Sequence, residues 1–248
     1  MHHAQAHNRI LADLQQVEAE LTQRAADPEL ARRVQALKHY QQRRFEHSYA
    51  DLLSTPRYAA AARFFLEELY GPQDFSRRDA QFARVVPAIA KLFSAEVLGT
   101  VEQLASLHAL SEHLDNRLAR QLASPALTAL DYARAWQRAG SPAERERQIA
   151  LLLAVGQALD ALTRKPLLRQ ALRMMRGPAA AAGLSELQGF LERGFDCFKA
   201  MGGAAAFLET VAQRERALAA ALFAPQSLAL LARKGACPTG DDPLGQLP

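Results

Sequence analysis

Apolar residues recur along most of the chain at intervals of three and four, the spacing of one helix face, and rarely alternate as in a half-buried strand. Ile10, Leu14, Val17 and Leu21 predict a first helix that ends near Asp27-Pro28, because a residue before proline is pushed out of the helical region. A second helix over about residues 29–53 turns Leu30, Val34, Leu37, Phe45, Tyr49 and Leu52 inward. Arg32, Arg33, Lys38, Arg43 and Arg44 fall on its outer face, and the two helices are expected to form an antiparallel hairpin. Thr55 as N-cap and Pro56 at the first helical position then open a third helix that ends at Tyr70, before Gly71-Pro72.

A capping box over Ser76-Arg77-Arg78-Asp79 starts a fourth helix, which Pro87 should kink near Ala83. The fifth, about 95–122, carries the stripe Val97, Val101, Leu104, Leu107, Leu110, Leu114 and Leu118. A shorter helix with Tyr132 and Trp136 closes at Gly140, and Ser141-Pro142-Ala143-Glu144 is a strong start signal for a helix to about Thr163. Lys165-Pro166 opens a short basic helix to Arg176, Ser185 begins another through Met201, and a last one ends near Phe223. The expected fold is all-α: a bundle of about nine to eleven helices, mostly antiparallel neighbours, in one domain over 1–223 with any internal boundary near 140. Residues 224–248 have the composition of a largely disordered tail.

Composition sharpens the class. The 248 residues are 49% hydrophobic but only 7% aromatic, a bias toward Ala and Leu that favours closely packed helices over a β-sandwich. The formal charge of +4 is too small to argue for nucleic-acid binding without a basic stripe and stacking aromatics. Cys197 and Cys237 cannot build a disulfide framework, the start has no apolar h-region, and no run of about 18 apolar residues occurs, so a cytoplasmic protein without a transmembrane segment is expected.

Between Arg63 and Phe93, Glu67, Glu68, Asp74, Arg77, Arg78 and Asp79 crowd one turn. Glu67 and Glu68 sit in the last turn of one helix and Arg77 and Arg78 in the first turn of the next, each opposed to the local helix dipole. The simplest resolution is that the chain doubles back and the two sets pair. The functional alternative is that Arg77 and Arg78, with Tyr70 adding a hydroxyl, receive a small anion or an acidic protein partner. A second candidate is His108, Glu112 and Asp115, which share one helix face at i, i+4 and i+7. They lack the repeated Glu-x-x-His pattern of a di-iron bundle, so no metal is assigned and the bland reading is a half-buried polar seam. A third is the basic helix, with Arg169, Arg173 and Arg176 on one face and Leu168, Leu172 and Met175 on another; its apolar face is expected in the core. Phosphate loops, nucleophile elbows and zinc spacings are missing, and Cys197 reads as a small core residue.

The run Phe64-Phe65-Leu66-Glu67-Glu68-Leu69-Tyr70, followed by Gly71-Pro72, Asp74-Phe75 and Arg77-Arg78-Asp79, resembles a family of uncharacterised bacterial proteins, the FFLEELY-motif proteins. The similarity extends through Leu107 to Glu112 to the last helices, and it implies no reaction, cofactor or partner. The leading expectation is a helical binding protein that uses the surface near Tyr70 and Arg78 for a protein or a small anionic ligand. Its rival is an enzyme or cofactor carrier with a polar pocket between the third, fourth and fifth helices, formed by Arg63, Glu67, Tyr70, Arg78, His108 and Glu112, with the cofactor unknown.

Overall fold

Asp27 ends one helix and begins the next. Its N–H donates to the carbonyls of Gln23 and Arg24, while its carboxylate accepts from the N–H groups of Glu29 and Leu30 ahead of Pro28. The computed structural model describes residues 2–69, 81, 82, 84, 85, 94–233 and 242–248. Helix α1 spans His2–Ala26 and α2 spans Pro28–Ser48. Helix α2 stops five residues short of the predicted end: the chain breaks at Tyr49 and resumes as the short α3, Ala50–Ser54. Thr55 is no N-cap, because its hydroxyl donates back to the Asp51 carbonyl and it closes α3 instead. Helix α4, Ala59–Phe64, then runs into a π turn, Phe65–Leu69. The fourth predicted helix, with the Ser76 capping box and the Pro87 kink, lies outside the described residues.

Helix α5 spans Ala95–Ala119, and its burial is wider than the predicted stripe. Leu98, Ala105 and Ala109 are as buried as Leu114 and Leu118, because α1, α2, α6 and α7 pack around it. Helix α6 is Ala129–Ala139, started by an unpredicted capping box of Thr128 and Asp131. Helix α7, Pro142–Thr163, begins as its start signal predicts, with the Ser141 hydroxyl accepting from the Glu144 N–H. The Glu144 carboxylate does not reach back to the cap; it takes Arg117 at 2.6 Å.

Helices α8, Leu168–Met174, and α9, Arg176–Ala181, divide the basic segment. The predicted faces hold only in part. Leu168 and Leu172 are half-buried, but Met175 is exposed, no residue of α8 is buried, and Arg169 is half-buried against Glu192 of α10, which also pairs with the exposed Arg176. Helix α10, Ser185–Met201, ends at Gly202 in the left-handed region that favours glycine, and α11 spans Ala205–Phe223. Past Ala224, where composition predicts a loose tail, Ser227–Ala232 forms α12 and Pro243–Gln246 a 3-10 turn, with Leu244 buried beside Leu218 and Leu222. Twelve α-helices and no strand occur among the described residues, an all-α multi-helix bundle.

The expected α1–α2 hairpin is secondary, since α1 packs chiefly along α5. Helix α7 lies at the centre between α5, α10 and α11, and α10 covers α4. The apolar interior falls into three clusters: one around Phe45, Phe65, Phe198 and Phe207, one around Tyr40, Tyr132, Trp136 and Leu222, and one around Ile10, Leu14 and Leu98.

Candidate functional site

Where the three clusters meet, the interior holds a cavity of about 130 Å³ with one polar and one apolar wall. The apolar side takes Leu14 and Ala105 from the α1–α5 cluster and Leu107, Leu152 and Phe190 from the large one. The polar side is assembled from four helices. Lys38, Gln41 and Arg44 come from α2, His108, Ser111, Glu112 and Asp115 from α5, Arg145 and Gln148 from α7, and Glu215 from α11. On α2 and α5 the spacing of three and four brings these side chains onto one face, continuous with the apolar positions above and below.

Two carboxylates are held by cations. Glu112 accepts from Lys38 at 2.6 Å and lies 2.5 Å from Arg24, whose Nε donates to Asn116 at 2.5 Å. Burial alone would raise its pKa, but Lys38 and Arg24 outweigh burial and push it down to about 2. Glu215 takes both terminal nitrogens of Arg44 and the Tyr49 hydroxyl at 2.7 Å. Burial opposes the Arg44 charge, yet Glu215 more than offsets it, so the guanidinium stays protonated.

Asp115 is treated differently. It is 7% exposed and lines the cavity, and its hydrogen bond comes from an uncharged group, the Gln41 amide at 3.1 Å. Burial raises its pKa above the ordinary carboxylate value, against the pull of Lys38 and Arg145. Arg145, 5% exposed, donates to Gln148 at 2.9 Å and lies with its guanidinium 4.3 Å from the Trp136 ring centre. Gln148 in turn donates to Ser111 at 2.8 Å. Burial also raises the pKa of the Tyr132 hydroxyl, on the same wall.

Of the residues that sequence reasoning nominated, His108 and Glu112 line the cavity, joined by Asp115. Arg63 and Glu67 are exposed and lie on none of its walls. Tyr70, Arg77 and Arg78 lie outside the described residues, so the proposed pairing across the turn does too. Glu68 is the member of the motif that reaches the cavity, and it pairs with Arg193 of α10 at 2.5 Å. Among the described residues no three His, Cys, Asp or Glu side chains are placed to hold a metal ion.

Sequence reasoning missed Lys38 and Arg44, which it assigned to the outer face of α2. A signal was there: Leu30, Val34, Leu37, Gln41, Arg44 and Ser48 continue one period of three and four, so the buried face of α2 turns polar toward its end. No periodic signal marks Arg145 or Glu215, whose roles depend on which helices meet.

Fold and site together define an all-helical protein with a cavity of mixed polar and apolar lining between its helices. The chain belongs to the family described as "Domain of unknown function (DUF8198)", whose profile matches residues 20–228 and so spans every cavity residue named above except Leu14. No curated protein and no solved structure matches it. Among the described residues no helix is long and apolar enough to cross a membrane.

Proposed function

We propose that this protein binds a small amphiphilic molecule in the cavity between α2, α5, α6 and α7. The observation that carries this reading is the burial of Asp115 and Arg145 around an internal space. Burying charged groups costs stability and a void contributes no packing, so a core that keeps both is better explained by a ligand than by the fold's own needs. Size agrees: an engineered cavity of about 150 Å³ in another protein admits benzene, and the space here is close to that. The cavity is favoured over the surface corner near Tyr70 because Arg63 and Glu67 point to solvent, where ion pairs and anions are weakly held.

The chain supplies its own reporter. Trp136 is its one tryptophan, is 8% exposed, and lines the cavity. A fragment library titrated against Trp136 emission should yield saturable changes, and Ile149→Phe, which fills part of the space, should abolish them while circular dichroism shows the helices intact. A library that leaves both the emission and the melting temperature unchanged would sink the reading.

A further inference from the structure

Charge around the cavity is not distributed evenly over its carboxylates. Glu112 has Lys38 and Arg24 in contact, and Glu215 has Arg44. Asp115 has no cation within ion-pair distance among the described residues; Gln41 donates to its Oδ1, and Oδ2 carries no hydrogen bond. The residue lines the cavity, so Oδ2 is the carboxylate oxygen left for a ligand there. The groups around Asp115 are Lys38 and Gln41 on α2, Glu112 on its own helix, and Arg145 on α7. Lys38 is engaged with Glu112, and Arg145 with Gln148 and the Trp136 face.

We propose that the ligand carries a protonated amine on a compact apolar body and that the amine seats against Asp115 Oδ2, an assignment that rests on the cavity-binding reading above. A buried carboxylate held by one amide is an acceptor short of a charged donor, and an ammonium group supplies up to three N–H bonds together with the missing charge. A ligand anion would lie instead among Glu112, Glu215 and Asp115, while Lys38 and Arg44 already pair with the first two and Arg145 is engaged by Gln148 and the Trp136 face. The apolar body packs against the cavity's apolar lining, which includes Leu107, Ile149, Leu152 and Phe190.

Three probes of one size separate the possibilities: benzylamine, benzyl alcohol and benzoate, titrated against Trp136 emission in the full chain. Benzylamine should bind at least tenfold more tightly than the other two, and Asp115→Asn, nearly isosteric, should bring amine and alcohol to equal affinity. Because the amine needs the ionised carboxylate, benzylamine affinity for the wild-type protein should fall as the pH is lowered through the Asp115 titration, while benzyl alcohol affinity should not. That second measurement needs no variant. Equal or tighter binding of the alcohol or benzoate, unchanged amine affinity in Asp115→Asn, or amine and alcohol affinities with the same pH dependence would overturn the amine assignment and leave cavity binding standing. The same holds if none of the three binds while uncharged or anionic fragments do. If no fragment binds at all, the cavity-binding reading falls first and this inference with it.

Discussion

Lys38 Nζ lies 2.6 Å from Glu112 Oε1, joining α2 to α5 through a pair whose side chains are only 15% and 7% exposed. Arg24 from α1 closes on the other Glu112 oxygen, so one carboxylate holds three helices together. Removing it leaves two buried cations uncompensated. Glu112→Gln is therefore expected to destabilise the protein by about 3–5 kcal/mol in chemical denaturation. Lys38→Met should cost less, since Arg24 still neutralises Glu112, and the double variant should fall well short of the sum of the two.

Acid titration should separate Glu112 from Asp115 by sign. The Glu112 carboxyl is held near 2 in the folded protein against an ordinary 4.5, so its stabilisation is full above pH 4.5 and is lost as pH falls toward 2. Asp115 has a raised folded pKa: its contribution is full below its ordinary 3.8 and is lost as pH rises through the folded value. Melting curves should show Asp115→Asn more stable than wild type at pH 7 and level with it near pH 3. Glu112→Gln should be less stable at pH 7, with the gap closing in acid. A common pH dependence for the two variants would contradict the assigned environments.

The aromatic pair of the FFLEELY run is structural. Phe64 sits 5.4 Å from Phe190 and Phe65 5.5 Å from Phe207, ring centre to ring centre, and both are buried. Truncating either to alanine should cost about 3–5 kcal/mol in denaturant unfolding. Glu67→Ala, at an exposed position of the same run, should stay within about 0.5 kcal/mol.

Gly140 is required by space. A Cβ there would lie 2.1 Å from the Trp136 carbonyl oxygen and 2.4 Å from the Phe223 ring. Gly140→Ala should lower stability by about 1–3 kcal/mol and shift Trp136 emission, because relief requires the end of α6 to move against α11.

Cys197 should be inert in the native state. Its thiol is buried, donates to the Gly194 carbonyl, and burial pushes its pKa up to about 12. Mass-spectrometric mapping after iodoacetamide treatment at pH 8 should find Cys197 alkylated only once denaturant unfolds α10. Rapid native labelling would mean that this helix opens.

Start and stop signals located several helices closely. Ser141 and Pro142 open α7 and Asp27-Pro28 divides α1 from α2, because capping is a contact between residues two or three apart; α10 also begins at Ser185 as expected, though without a side-chain cap. Thr55 misled for a related reason: its hydroxyl can accept from a backbone N–H ahead of it or donate to a carbonyl one turn back, and in the folded chain it donates to Asp51. The basic segment misled in part. Of the apolar stripe Leu168, Leu172 and Met175, the first two are half-buried, but Met175 faces solvent, because the segment is also anchored by Arg169 and Arg176 pairing with Glu192 on α10.

By itself, then, the sequence determined the helical class, most helix boundaries, and the placing of His108, Glu112 and Asp115 on one face, all set by interactions within about two turns of chain. Only the tertiary structure decided that this face meets Lys38 and Gln41, that Arg44 is buried against Glu215 at a separation of 171 residues, and that Arg145 lies over Trp136 beside them. A long cationic side chain reads as a surface group wherever its partner is distant in sequence. Whether it is buried depends on desolvation being offset by a carboxylate from another helix, and that offset exists only once the helices have packed.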